Sequence, residues 1–549
     1  YVLTRDTNAG YVSFESDSTI VEKLSGLFPI FFFLIAALVC STTMTRMIDD
    51  ERTQIGTLRA LGYSRGSILA KYLLYSGSAA ALGCVIGYFA GGYVFPFVIW
   101  TAYGMLYSIP GFVILYDPVL FVIALAASLL CSAGTTYLAL RIEMQNMPAN
   151  LIRPKTPAAG KRIFLERITP LWKRLKFLHK VSLRNIFRFK KRMIMMILGI
   201  AGCTALVLTG FGIHDSVANI ANFQFDDIQK YDVSAQFSDT LTEDKINEVE
   251  SDHKSELDAA TAVQMTSGDV TGDSITKSAY IVASDDPAIT DIFDLHIDGE
   301  TVPYPGKGEV LLTEKLAELT DIKTGDTVTV SVSDTEKAEL KVAGLVENYV
   351  QNYLYMTGET YAMVADKGYE PKTLLLRVND SADEYALSAA LSKTDGVSSV
   401  SVVTDTRNMI DQMMQSLNYV VALVLISAGA LAFIVLFNLG NINLTERVRE
   451  IATIKVLGFH SGETGAYVFR ENIILSMMGI VVGLPLGVLL HTFVLMQIRV
   501  DMVSFKAVIA PVSFLLTVVM VVLFTVITDL VMRKKIAKID MAESLKSIE

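Results

Sequence analysis

Ile55-Gly-Thr-Leu-Arg-Ala-Leu-Gly-Tyr63 and Ile451-Ala-Thr-Ile-Lys-Val-Leu-Gly-Phe459 are two versions of one segment, 396 positions apart in a chain of 549 residues. The same offset carries Gly83, Gly87 and Gly91 onto Gly479, Gly483 and Gly487 without a gap. Further along, Pro118-Val-Leu-Phe121 matches Pro511-Val-Ser-Phe514 at an offset of 393. A repeat this long in period indicates duplication of a whole structural unit. Residues 26–154 and 411–549 are therefore read as two copies of one unit.

Working outward, each copy holds three apolar blocks. The chain is 52% apolar and only 19% charged, with a mean hydropathy of +0.43. Soluble domains carry about 25% charged residues. Seven blocks approach or exceed the roughly 20 apolar residues that cross a bilayer. They lie near Leu27–Met44, Ser67–Trp100, Pro118–Leu140, Met193–Ile213, Leu417–Leu439, Tyr467–Met496 and Val512–Met532. The first three belong to the first copy and the last three to the second. This is the pattern of an integral membrane protein and excludes a soluble enzyme or a disordered scaffold.

The net charge of −10 conceals two opposed regions. Ile213–Ile410 has 37 Asp+Glu against 14 Lys+Arg, a balance of −23, whereas Arg141–Arg192 has 15 Lys+Arg and only Glu143 and Glu166 against them. Basic loops stay in the cytoplasm. The acidic segment is thus expected outside and the basic one inside, as a topology signal drawn to anionic lipid rather than to nucleic acid. Threading the spans puts the N-terminus of this sequence outside and its C-terminus inside. Residues 1–25 read as the tail of a first outside domain, 155–192 as a basic cytoplasmic linker and interfacial helix, 193–213 as a span, and 214–410 as the outside domain. An exported start without a signal peptide suggests the C-terminal portion of a longer polypeptide.

Within 214–410, strand and helix signals alternate. Tyr231–Phe237, Thr373–Val378 and Ser398–Val403 read as strands, Thr242–Glu250 and Ala382–Leu391 as helices. A β-rich stretch lies between, with turns at Pro305-Gly-Lys-Gly308 and Thr324-Gly-Asp326. An α+β module follows. No phosphate-binding loop, H-E-x-x-H or G-x-S-x-G occurs, and the six histidines lack metal-ligand spacing. No catalytic or metal-ligating residue is assigned. Cys40, Cys84, Cys131 and Cys203 all lie in apolar blocks and read as small apolar fillers. The ionisable residues in or beside the spans, Lys71, Arg470, Glu471 and Asp529, are placed near cytoplasmic ends with access to water. Without ionisable groups at mid-membrane, an ion-coupled carrier is disfavoured.

Two motifs remain. Ile55, Leu58 and Leu61 recur every three residues on a charged helical stretch closed by Gly62, and Ile451, Ile454 and Leu457, closed by Gly458, repeat the pattern. Such a helix either lies on the lipid headgroups or docks into a groove on a soluble partner. If it docks, aspartate at Leu58 or Ile454 is expected to uncouple the partner without unfolding the bundle. The doubled G-x-x-x-G permits close helix approach, either as tight packing within the bundle or as a seam between the two copies that shifts during a cycle. Leucine at Gly87 or at Gly483 is expected to disturb that packing.

Met44–Tyr63, its echo at Glu446–Phe459 and the glycine-rich helix after each resemble the FtsX-like permeases of MacB-type ABC transporters. Gly308–Ala317 and Lys323–Val330 resemble that family's extracytoplasmic domain, and Tyr1–Phe14 resembles its large two-repeat members. The resemblance implies a membrane α-helical bundle of two FtsX-like repeats with an α+β MacB-type extracytoplasmic domain, in a bacterial cytoplasmic membrane. It implies a permease without its own enzymatic activity or cofactor, served by a separate ATPase that binds ATP and Mg²⁺. Two copies of that ATPase are expected on one pseudo-dimeric chain. The family's coupling helices would correspond to about Arg46–Leu61 and Leu444–Leu457. The residues carried over are Glu51, Gln54, Ile55, Leu58, Arg59, Leu61 and Gly62, with Glu446, Glu450, Ile451, Ile454, Lys455, Leu457 and Gly458. The implied outside partner is a peptide, lipid, lipoprotein or cell-wall enzyme, moved by mechanotransmission. An ATP-independent receptor or adhesion protein is the alternative.

Overall fold

The structure, a computed structural model, describes residues 9–537 except 105–106, 109–110, 153–176, 189, 273–274, 334, 380, 446–447, 459–460 and 499–502. The chain forms two compact units. One comprises Tyr1–Ile20, Ser216–Asn418 and Ile498–Lys506; the other comprises Val21–Asp215, Tyr419–Gln497 and Ala507–Glu549.

The second of these is helical. Seven helices among the described residues are long and apolar enough to cross a membrane: Ala9–Asp50, Arg65–Tyr103, Pro118–Met144, Lys190–Ala218, Val403–Thr445, Ser461–Gln497 and Pro511–Ala537. They are the seven blocks read from the sequence, and each helix outruns its apolar core. Local chemistry starts two of them. The Ser64 hydroxyl accepts from the Ser67 amide, and the Asp117 carboxylate accepts from the Val119 amide just before Pro118. The basic linker is described only from Phe177, where a helix runs to Arg188.

The fourth span is the packing centre: 67% of its most apolar stretch is buried, against none for the second span. Its glycines allow that. A Cβ on Gly202 would press on Ile35 of the first span, and one on Gly210 on Leu425 of the fifth. From the sixth span, a Cβ on Gly479, Gly483 or Gly487 would come within 2.6, 2.6 and 2.9 Å of Ile200, Thr204 and Leu208. The second glycine triple is therefore a close-packed contact between sixth and fourth spans. The first triple differs. No described atom lies within 4 Å of a Cβ on Gly83 or Gly87, and Gly91 meets only its own helix's Phe95 at 4.0 Å. The reading of the glycines as a seam between the two copies is corrected accordingly: the packed triple grips the span that precedes its own copy.

The placement of Glu471 and Asp529 within reach of water is also corrected. Glu471 is 0% and Asp529 7% exposed. Asn443 donates to Asn472 (2.6 Å), which donates to the Asp529 carboxylate (2.8 Å), and Thr525 donates to Ser476 (3.2 Å). This polar chain joins the fifth, sixth and seventh spans. The repeat offsets place Ser76, Ser132 and Thr136 at the positions of Asn472, Thr525 and Asp529. There the Ser132 hydroxyl donates to the Ser76 carbonyl. Both copies thus join their last two spans by polar contact at one level, but only the second copy uses a carboxylate.

Among the described residues, the other unit is built on eleven strands: β1 (Val233–Phe237), β2 (Leu257–Thr271), β3 (Thr276–Ala283), β4 (His296–Ile297), β5 (Glu300–Thr301), β6 (Glu309–Thr313), β7 (Thr327–Ser331), β8 (Lys337–Val346), β9 (Tyr353–Met356), β10 (Thr373–Val378) and β11 (Val397–Val402). Nine form one sheet in the order β11-β1-β10-β2-β3-β9-β6-β8-β7, and β4 pairs with β5. Because β7 also pairs with β2, the last six strands close on themselves around Ile281, Val310, Leu312, Val328 and Leu354. The 15-residue β2 serves both parts. Gly268 stands where β7 crosses it; a Cβ there would lie 2.7 Å from the Ser331 carbonyl. Helices Glu243–Asp252 and Glu384–Leu391 contribute Val249, Leu387 and Leu391 to the core of the first four strands. The expected strands and helices fall within two residues of those observed. Gly308 and Gly325 take positive φ (77° and 96°) at the two expected turns.

Candidate coupling site

The first span does not continue unbroken into the repeat segment. It ends at Asp50, turns at Glu51, and a separate helix runs from Arg52 to Ala60. Glu51 holds that corner by accepting a hydrogen bond from the Tyr72 hydroxyl (2.6 Å) and an ion pair from Lys71 (3.1 Å). The Tyr72 hydrogen bond, with Lys71 beside it, keeps the Glu51 carboxyl below its ordinary pKa against the opposing effect of burial. Glu51 therefore positions the helix and faces inward.

Ile55 is 0% exposed, in a cluster with Ile48, Ile68, Tyr72, Leu140 and Leu151. Gly56 lets the short helix Pro148–Ile152 approach, since a Cβ would lie 2.9 Å from Leu151 and Ile152. Leu58 is half-buried against the same cluster. Arg59 donates to the carbonyls of Met144 and Asn146 at the end of the third span, and Arg52 pairs with Glu143 at 3.5 Å. A cation on the carbonyl end of a helix is favourable. Gly62 (φ 92°) closes the helix, with its amide bonded to the Arg59 carbonyl and the Tyr63 amide to the Leu58 carbonyl. On either side of that reversal, Leu61 is 71% and Tyr63 57% exposed; Gln54 is also exposed.

The second copy repeats this. Helix Val448–Val456 buries Ile451 completely with Leu444, Phe469, Met532 and Ile536, while Ile454 is half-buried. Lys455, at the position of Arg59, donates to the Ile536 carbonyl of the seventh span (2.7 Å). Gly458 also has φ 92°, and Leu457 is 72% exposed. Glu446 and the side chain of Glu450 lie outside the described residues. The expected single apolar stripe thus resolves into three parts. Ile55/Ile451 anchor, Arg59/Lys455 latch to the last span of the copy, and Leu61/Leu457 stay exposed.

A second group of residues, not singled out from the sequence, lies within the sheet unit, where the chain passes to and from the spans. β11 passes at Val403 directly into the fifth-span helix with no intervening loop. Arg407 of that helix pairs with both carboxylate oxygens of Asp226 (2.6 and 3.0 Å) and donates to Asn222 (2.7 Å), in the stretch leading from the fourth span to β1. The connection between sixth and seventh spans bridges Val503 to Val350. In the same contact the Ser504 amide donates to the Tyr349 carbonyl (2.9 Å) and Lys506 to Glu347 (2.8 Å). Burial opposes ionisation of Glu347. The donors Lys506, Tyr349 and the Asp298 amide outweigh it and hold the carboxyl below its ordinary pKa. In the sequence, Lys506 is an isolated lysine in a connector.

With this geometry in view, comparison with known proteins decides the relationship. The FtsX-like permease C-terminal family matches at residues 26–144 and again at 422–541, and the MacB-like periplasmic core domain matches at 193–394. The chain belongs to the FtsX-like, MacB-type ABC transporter permeases. The two FtsX-like matches of this permease fall one inside each duplicated unit. The extracellular domain of the noncanonic ABC-type transporter YknZ from Gram-positive bacteria is 14% identical, with a TM-score of 0.24, over 31% of this chain and 98% of its own. The periplasmic region of MacB from Actinobacillus actinomycetemcomitans is 14% identical, with a TM-score of 0.23, over 32% and 93%. No curated protein matches the permease in sequence.

Proposed function

We propose that this permease couples ATP hydrolysis, in a separate ATPase holding ATP and Mg²⁺, to movement of its α+β domain. Two ATPase copies dock, one on each of Arg52–Ala60 and Val448–Val456, and the N-terminal end of this sequence and the α+β domain lie outside the cell. The carrying observation is the duplicated helix. Each copy is anchored by a fully buried isoleucine, latched by a cation to its last span, and presents an exposed leucine. A push on either helix reaches the span bundle through Ile55 and Arg59, or through Ile451 and Lys455. From there β11 and the Lys506 connector carry displacement into the sheet unit. The moved domain acts on a peptide, lipid, lipoprotein or cell-wall enzyme.

The test is a mild-detergent pull-down of the folded permease, with mass spectrometry for a subunit bearing a phosphate-binding loop. Recovery at two copies per chain supports the reading. Recovery of no such subunit favours an ATP-independent receptor.

A further inference from the structure

The sheet unit contains a cavity of about 340 Å³. Packed interiors hold few voids larger than a water molecule, whereas ligand sites begin at about 300 Å³. Its walls come from separate parts of the unit: Ile20, the segment entering β1, the sheet face, the start of the fifth-span helix, and Val503 of the connector. Among the described residues, no charged side chain lines it, although the segment Ile213–Ile410 carries a balance of −23. The nearby charges Arg407 and Asp226 neutralise each other.

Four methionines, Met265, Met409, Met413 and Met414, line this cavity. Methionine adapts its shape to irregular apolar partners. Hydroxyls at Ser401 and Thr406, with Gln229, supply uncharged hydrogen-bonding groups in the same lining. A site of this size with an adaptable apolar lining and uncharged polar groups accepts a narrow apolar chain with a neutral polar head. It rejects a charged head, which would lose its hydration without gaining a counter-ion.

We infer that this cavity binds a single-chain neutral amphiphile, an alkyl chain with an uncharged hydrogen-bonding head, and that Met265 and Met409–Met414 grip the chain. The start of the fifth-span helix and Val503 of the connector both contribute walls, all of them within the sheet unit.

The test uses the full chain in phosphatidylcholine vesicles with monododecylglycerol carrying a diazirine at the end of its chain. After illumination, digestion and mass spectrometry, the expected label lies on the peptides containing Met265 and Met409–Met414. Unlabelled monododecylglycerol should reduce it several-fold, and dodecyl sulfate should not. Ser401→Trp, which fills the cavity from an exposed position, should remove the label. Thr406→Asp, also exposed, should do so by adding charge if the tryptophan variant fails to fold. A second arm places the diazirine on a long-chain monoacylglycerol resident in the bilayer. Label from that arm identifies membrane lipid as the source, and label from the water-delivered probe alone identifies a free amphiphile. Label confined to span faces such as Leu74 and Ile86, or unchanged in both folded variants, overturns the assignment. Neither ATP nor an ATPase enters the measurement, so its failure is separate from failure of the coupling reading.

Discussion

A leucine just past a helix end, 71% exposed in one copy and 72% in the other, has no packing reason to be leucine. Leu61 and Leu457 differ in this from Ile55 and Ile451, which are wholly buried six residues earlier. The two classes should separate by experiment. Leu61→Asp combined with Leu457→Asp leaves the melting temperature of the purified permease within about a degree or two, because exposed substitutions change stability by less than about 0.5 kcal/mol. The same pair should lose ATPase recovery in the pull-down. Ile55→Ala should instead lower stability by about 2–5 kcal/mol, the cost of deleting a buried aliphatic side chain, and thermal melting reads it directly. Aspartate at Leu58 or Ile454 mixes the two effects, because both are half-buried, and is the poorer test. Wild-type ATPase recovery by the Leu61/Leu457 variant would place docking elsewhere.

Between elements, the two glycine triples look alike in sequence and behave differently in the fold. Gly483→Leu must push a side chain through Thr204 and the Ala201 backbone, 2.6 and 2.8 Å from a Cβ, and overpacking of this kind costs about 1–3 kcal/mol or more. Gly87→Leu meets nothing described within 4 Å and should be tolerated by this chain. Melting of the two variants side by side checks the asymmetry; equal losses would show that the first triple is packed after all. The buried chain Asn443–Asn472–Asp529 makes a parallel case. Asn472→Leu strands the Asp529 carboxyl inside the bundle and should destabilise by about 1–3 kcal/mol. Spans, repeat and strands were legible because length, apolarity and alternation are local properties. Which glycine triple is gripped was not, since it depends on whether a helix such as Lys190–Ala218 lies alongside. The inward turn of Glu51 was hidden likewise: its partner Tyr72 is 21 residues away, and an acid on an amphipathic helix reads as surface. Lys506 and Glu347 carry no sequence signal, because their pairing arises from tertiary closure over 159 positions.

Across the whole molecule, the proposed transmission makes two attachments testable in different ways. The Lys506–Glu347 pair is sensitive to acid. Glu347 titrates below its ordinary value of about 4.3 in the folded chain. Its contribution is therefore present above that value and is lost as pH falls through the lower folded pKa. Spin labels on a cysteine pair at positions 503 and 350, which bridge backbone to backbone, should stay in close dipolar contact at neutral pH. That contact should loosen as the pH falls through the lowered folded-state value of Glu347, and Glu347→Gln should remove most of the difference. The β11 junction has no titrating group and depends on stiffness alone. Val402 is the last residue of the strand and Val403 the first of a 43-residue helix, so a turn of the fifth span rotates the strand with it. Inserting Gly-Gly-Ser between them breaks that rigidity while leaving the sheet registers β1–β11 and β1–β10 available. The expected result is an assembly that still binds its ATPase and hydrolyses ATP, but whose sheet unit no longer responds to nucleotide. A distance measurement between spin labels on exposed positions such as Tyr385 and Ile426 reads that response. A nucleotide-dependent change that survives the insertion would mean that force reaches the sheet unit through the fourth span or the Lys506 connector instead, and the spin-labelled pair at 503 and 350 would then distinguish those two routes.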